Sequence, residues 1–218
     1  ETNAQYYAGQ QAFTKTTGFA RNFDTLIAST NVRMRQFGVT AEDAQKAIAG
    51  LRQGLSQFDT LGSSTQERLS DLVTGLEKIG VNGNDSIGVI TSLNKSFGVS
   101  VDSATDLTRE LALSGDVLGK TASGITKDFR KTLGTLAVYG TKSVKIFKDI
   151  AAMAAAAGVE VDDMMGIANK FDTFADSAST AAKMNAILGT SFSGVNMMMM
   201  DHDKRIETVI RGLQSTGQ

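Results

Sequence analysis

The residues of this chain that could do chemistry are few, and their spacing fits no catalytic or ligand-binding template. His202 is the single histidine in 218 residues and sits in Asp201-His202-Asp203-Lys204-Arg205. A metal centre or an acid–base site needs further ligands or partners at set distances, and this run supplies none convincingly. It suits the first turn of an exposed helix, where carboxylates oppose the positive end of the helix dipole. Gly115-Asp-Val-Leu-Gly119-Lys120-Thr121 has the outline of a phosphate-binding loop, but one residue too few separates its glycines and no strand precedes it. Asn82-Gly83-Asn84-Asp85-Ser86 opens like a calcium loop, yet Leu93 stands where the coordinating Glu belongs. Gly189-Thr-Ser191-Phe-Ser193 lacks the closing glycine of a nucleophile elbow. With no cysteine, thiol catalysis, disulfides and Cys-ligated zinc are excluded. The chain reads as no enzyme, with no cofactor and no bound metal.

Charge and methionine offer surfaces rather than reactions. Residues 120–149 carry seven Lys and Arg against two Asp, and residues 155–176 carry five Asp and Glu against one Lys. These segments read either as solvated helix faces or as patches that touch DNA or pair between chains. Phe147 is the one aromatic among the lysines of 142–148 and belongs to an apolar helix face, which argues against stacking on bases. The whole chain has a net charge of −1, so no overall field draws it to nucleic acid or anionic membrane. Met197, Met198, Met199 and Met200 form a run of adaptable apolar side chains, either filling this chain's own core or contacting another subunit.

The elements that would hold these residues are helices. There is no proline, while 22 glycines act as punctuation. A loop-rich or β-sandwich chain would use proline in its turns. Four times an apolar residue precedes Gly-Val and a polar stretch, at Phe37-Gly38, Ile79-Gly80, Phe97-Gly98 and Ala157-Gly158. Gly supplies a left-handed helix stop, Val the apolar contact after it, and Thr40, Asn82 or Ser100 the next N-cap. Leu69, Leu72, Val73, Leu76 and Ile79 mark one apolar face; Ile87, Ile90, Leu93 and Phe97 another; Val101, Ala104, Leu107 and Leu111 a third. Further faces run through Ile125–Leu136, Val144–Ala154, Val161–Leu188 with a break near Asp172, and Ile206–Leu213. Gly50 and Gly54 weaken the helix over 40–58 unless close packing requires them. Residues 189–200 read as a loop with a short strand, and Asp201 as the cap of the last helix.

The expected fold is therefore all-α: an array of short helices and helical hairpins, a long N-terminal helix and no substantial sheet. Tyr6, Phe13, Ala20, Ile27 and Met34 recur every seventh residue, with Phe23, Thr30 and Phe37 as a second row. This heptad-like stripe fits either a seam between subunits or the chain's own core. The domains expected are an N-terminal helical segment over 1–60 and a compact multi-helix domain over 61–218. Tyr6, Phe13, Ile27, Met34 and Met197 to Met200 are the candidate subunit contacts. No run reaches the ~18 apolar residues of a membrane helix, no signal peptide is visible, and Ala151–Ala157 is too short to span a bilayer. The chain begins at Glu1, as expected of a piece of a longer protein or a processed product.

The stretch from Ile167 to Gly189, with Phe97-Gly-Val-Ser-Val-Asp-Ser-Ala-Thr105 and Asp201-x-x-Lys-Arg-Ile206, resembles segments of tail tape-measure proteins of contractile-tailed bacteriophages. The resemblance covers roughly 95–217 and thins toward the N-terminus. It implies a mostly helical structural protein of the virion, placed in the tail lumen near the baseplate hub. Such a protein helps set tail length and leaves around DNA ejection, passing through the host cell envelope. The implied partners are copies of itself in a trimer or small multiple of three, tail-tube and baseplate-hub proteins, and transiently DNA or host membrane. Frequent glycine breaks make this chain a folded part of such a protein rather than the ruler itself, which would be continuous helix. Two readings from other classes compete. The Ala-rich and Met-rich segments would suit a membrane-active pore former or injected effector. A cell-wall hydrolase would need a paired-carboxylate cleft, which the sequence does not display.

Overall fold

The computed structural model describes residues 23–158, 160–169, 174–200 and 202–215. Among these, all regular structure is helical and no strand occurs. Tyr6, Phe13, Ala20, Asp172, Asp201 and the expected helix upstream of residue 23 lie outside the described residues. The chain divides into two compact units between Arg130 and Lys131. The boundary expected near residue 60 instead has helices from both sides packed in one core, within the first unit.

The first unit contains α1 (Asp24–Met34), α2 (Ala41–Gly54), α3 (Ser63–Lys78), α4 (Gly83–Lys95), α5 (Val101–Val117) and most of α6 (Ala122–Leu136). Each of α1 to α3 packs on the next helix and on the one after it, and α4 packs on α5. The glycine stops explain the tight turns. Gly38, Gly80 and Gly98 have φ of 78°, 88° and 67°. The following Val39, Val81 and Val99 are buried, and their amides reach back to the carbonyls of Met34, Leu76 and Leu93. Thr40 and Asp43 form a capping box, and the Asn82 and Ser100 side chains accept amides of the next first turn. Gly50 and Gly54 are close-approach residues: a Cβ on either would stand 2.8 Å or 2.3 Å from the Ile87 side chain of α4. Their small size lets α2 and α4 meet, which offsets their cost to the helix. Ile48, Leu51, Leu55, Leu69, Ile90, Leu93 and Leu111 are fully buried branched aliphatic side chains, joined by the ring of Phe58.

The second unit contains the rest of α6, a 3-10 segment (Ala137–Lys142), α7 (Ser143–Ala157), α8 (Val161–Asn169), α9 (Phe174–Leu188), α10 (Gly194–Met199) and α11 (His202–Ser215). Its described core uses methionine, which is absent from the first unit's buried residues: Phe147, Ala151, Ala154, Met164 and Met165 are buried, and Ala181, Met184, Met197 and Val209 form a further cluster. The strand expected within 189–200 is absent, because residues 194–199 form α10 instead. Ser193 caps that helix, and Gly194 sits so close to α9 that a Cβ would stand 2.8 Å from the Ala178 Cα.

Candidate functional site

The motif remnants that most resembled chemistry turn out to be helix punctuation. Gly119 has a φ of 66° and the Lys120 amide donates back to the Gly115 carbonyl, so Gly115–Thr121 is the end of α5 and the start of α6. The Lys120 ammonium is 2.6 Å from Asp128. Asn82 caps α4, and Asp85 pairs with Arg130. Residues 189–193 are held by Asn185, whose side chain accepts the Phe192 amide at 2.7 Å and donates to the Phe192 carbonyl at 2.8 Å. His202 opens α11. Among the described residues, no group of three or more His, Cys, Asp or Glu could hold a metal ion.

The polar groups that the fold does bring together tie helices to helices. Arg33 of α1 meets Glu67 at 3.2 Å and Asp71 at 2.8 Å on α3. Arg68 of α3 meets Asp102 at 2.9 Å and Asp106 at 2.6 Å on α5. In both cases the two acids follow the arginine by 34 and 38 residues and lie one helical turn apart. A fork of guanidinium donors suits this double acceptor. The arginine–carboxylate rungs therefore repeat along the row α1–α3–α5. Asn31 and Asn94 repeat a second device: each donates to the carbonyl of the valine after the next glycine stop, Val39 and Val99, at 3.0 Å and 2.8 Å.

The candidate contact residues are split by the fold. Ile27 is buried, and the Met34 methyl packs against Gly75, where a Cβ would stand 3.1 Å away. Ile27 thus fills its own unit's core rather than a seam with a second chain. Met197 is buried in the second unit's cluster, with Met200 and Phe192 packed against it. Met198 is half-buried and Met199 is 77% exposed. The cause of this split is Arg205, itself buried, which donates to the carbonyls of Met197, Met198 and Met200 and so caps the C-terminal end of α10. Met197 to Met199 lie on one short helix with an inner and an outer face, and Met200 is its extended C-cap. Searches against family models, curated proteins and solved structures returned no match to this chain. Functional inference therefore rests on the residues themselves.

The basic segment is largely occupied internally. Arg130 pairs with Asp85, Lys120 with Asp128, Lys145 with Asp149, and Lys131 approaches the acidic segment at Asp162, 3.9 Å away. Sequence reasoning missed the two arginine rungs, because their members are 34 to 38 residues apart and nothing local links them. It also missed an exposed apolar row. Phe37 closes the 3-10 turn (Arg35–Phe37) after α1, Ile79 is the residue after α3 and Val117 the last of α5; they are 58%, 54% and 88% exposed, although Ile79 had the spacing of an inward face.

Proposed function

We propose that this chain is a folded, non-catalytic segment of a tape-measure-like protein in a phage tail, placed in the tail lumen near the baseplate hub. The observation that carries this reading is the local wording of 97–105, 167–189 and 201–206, which resembles that family. The all-helical array supports it, since the arginine rungs Arg33–Glu67/Asp71 and Arg68–Asp102/Asp106 serve helix packing. In this reading the long N-terminal helix expected over 3–37 extends the array, and copies of the chain meet in a small multiple of three. Tyr6, Phe13 and Ala20 carry the seam, because Ile27 and Met34 are used within the first unit. No observation favours the membrane-active reading. Ala151 and Ala154 of the alanine run are core residues, and among the described residues no helix is long and apolar enough to cross a membrane.

The test is immunogold labelling of intact particles with an antibody to the purified chain. Label on opened tails near the baseplate is expected. Label confined to host cytoplasm or host envelope, with none on tails, overturns the assignment.

A further inference from the structure

Asn82-Gly83 is the one Asn-Gly pair in the chain, and the turn between α3 and α4 uses each residue for packing. Asn82 is the N-cap of α4. Its side-chain carbonyl accepts the Asn84 amide at 2.9 Å, and its main-chain carbonyl accepts the amides of Asp85 and Ser86. Gly83 is buried, and a Cβ there would collide with the Glu77 carboxylate in the last turn of α3. The Gly80 and Val81 amides close the turn further by donating to the Glu77 and Leu76 carbonyls. Val81 is buried, and Asp85 pairs with Arg130. Asn82 itself is exposed to water.

An Asn side-chain amide ahead of Gly is chemically labile, because no Cβ shields the backbone nitrogen that follows it. That nitrogen gives its proton to hydroxide and attacks the Asn side-chain carbonyl carbon. The new N–C bond closes a five-membered succinimide. The bond from that carbon to the side-chain nitrogen breaks, and the nitrogen takes a proton from water and leaves as ammonia. Water then opens the ring on either side, so that Asn and water become aspartate or isoaspartate and ammonia. The ring requires the Asn Cβ and the Gly nitrogen to eclipse about the Cα–C bond, which for an L-residue puts ψ at about −120°. Asn82 has a ψ of 132°, more than a quarter turn away, and its side chain is committed to the Asn84 amide. Turning ψ would swing Gly83 out of its contact with Glu77 and take the first turn of α4 off its cap. Ring closure therefore needs the α3–α4 turn to open first.

We propose that Asn82 is a latent deamidation site, protected by the α3–α4 turn and converted when that turn opens locally. The two products differ in effect. An aspartate at this position keeps a capping oxygen and adds negative charge at the positive end of α4. An isoaspartate inserts a methylene into the main chain, so Gly83 cannot seat against Glu77 while the cap is kept. Conversion to isoaspartate thus blocks reclosure of the turn that admitted it. The site follows from the turn's geometry and is independent of the tail assignment.

The test is peptide mapping by mass spectrometry of the full chain held in mildly alkaline buffer, scoring the mass gain of Asn to Asp and resolving isoaspartate. Asn82 should convert at least ~10-fold more slowly in the native chain than in the chain unfolded in urea, the factor reflecting the cost of opening. Gly80→Ala strains the stop before the turn, where φ is +88°, and leaves the reacting pair unchanged. It should speed native conversion several-fold and leave the rate in urea the same. Gly98→Ala strains the stop after α4, where φ is +67°, and is the control for global unfolding. Scaled to equal loss of global stability, measured by urea titration, it should speed conversion less than Gly80→Ala does. Asn82→Ser keeps a capping hydroxyl and should remove the product. Three results would overturn the proposal: equal rates in the native and urea-unfolded chains, equal scaled acceleration by Gly80→Ala and Gly98→Ala, or a product that persists in Asn82→Ser.

Discussion

The two units solve the same packing problem differently. In the first, α1 to α5 advance by a regular step, held by branched aliphatic side chains and by arginine rungs at matching sequence offsets. In the second, the buried side chains include four methionines, and the connections depend on single polar residues. Asn185 holds residues 190–192, and Arg205 closes α10. Regular steps tolerate local change because each helix has several neighbours. Irregular connections concentrate their stability in one or two side chains, so the second unit should be the more brittle to polar substitution.

The largest effect should come from the first unit's core. Phe58→Ala removes a fully buried ring and should cost about 3–5 kcal/mol, read from urea unfolding. The sharpest contrast is next. Arg205→Ala should cost about 2–3 kcal/mol by leaving carbonyls of Met197, Met198 and Met200 without their donor. Arg33→Ala or Arg68→Ala should cost only about 0.5–1 kcal/mol, since these pairs are partly exposed. Raising salt to about 1 M should shrink the Arg33 and Arg68 effects and leave that of Arg205 nearly unchanged. Equal losses at Arg33 and Arg205 would erase the proposed difference between the units.

Smaller effects test the helix stops. Gly98→Ala should cost about 1 kcal/mol because φ is +67° there, and Thr40→Ala a similar amount through loss of the capping box. A stability change near zero at both positions would mean that the turns are held by packing alone.

The smallest effect concerns pH. Burial opposes ionisation of Asp43, but hydrogen bonds from Lys78 and from the Thr40 amide and hydroxyl outweigh it and hold the carboxyl at about 2, below the ordinary 3.8. A lowered carboxyl stabilises the fold above its unfolded value and loses that contribution as pH falls through its folded value. The advantage of the native chain over Asp43→Asn should therefore be full at neutral pH and fade between 3.8 and about 2. Glu77 has the opposite sign: burial and the nearby Asp43 charge raise its carboxyl. Glu77→Gln should gain stability at neutral pH and converge on the native chain in acid. A Glu77→Gln profile parallel to that of Asp43→Asn would contradict this assignment of charges.

Much of the helical array was legible because its signals are local. The Gly-Val stops, the caps at Thr40, Asn82 and Ser100, and the apolar faces of α3, α4 and α5 each lie within a few turns of chain. Residues 189–200 misled because glycines and serines suggest a loop, while the short helix there depends on contact with Ala178 and on capping by Arg205. Ile79 misled because helical spacing assigns it inward, whereas it stands one residue past the last turn of α3 and turns outward at the stop.

Composition and near-neighbour spacing by themselves determined that this chain is helical, where most of its helices stop, and that no familiar catalytic motif is present. These properties follow from backbone preferences and from hydrogen bonds between residues a few positions apart. Tertiary structure alone decided which apolar residues stay exposed and which charges form rungs. It also decided which methionines are buried and where the units divide. Each depends on side chains brought together from tens of residues apart, and spacing along one helix carries no information about the helix that will lie beside it.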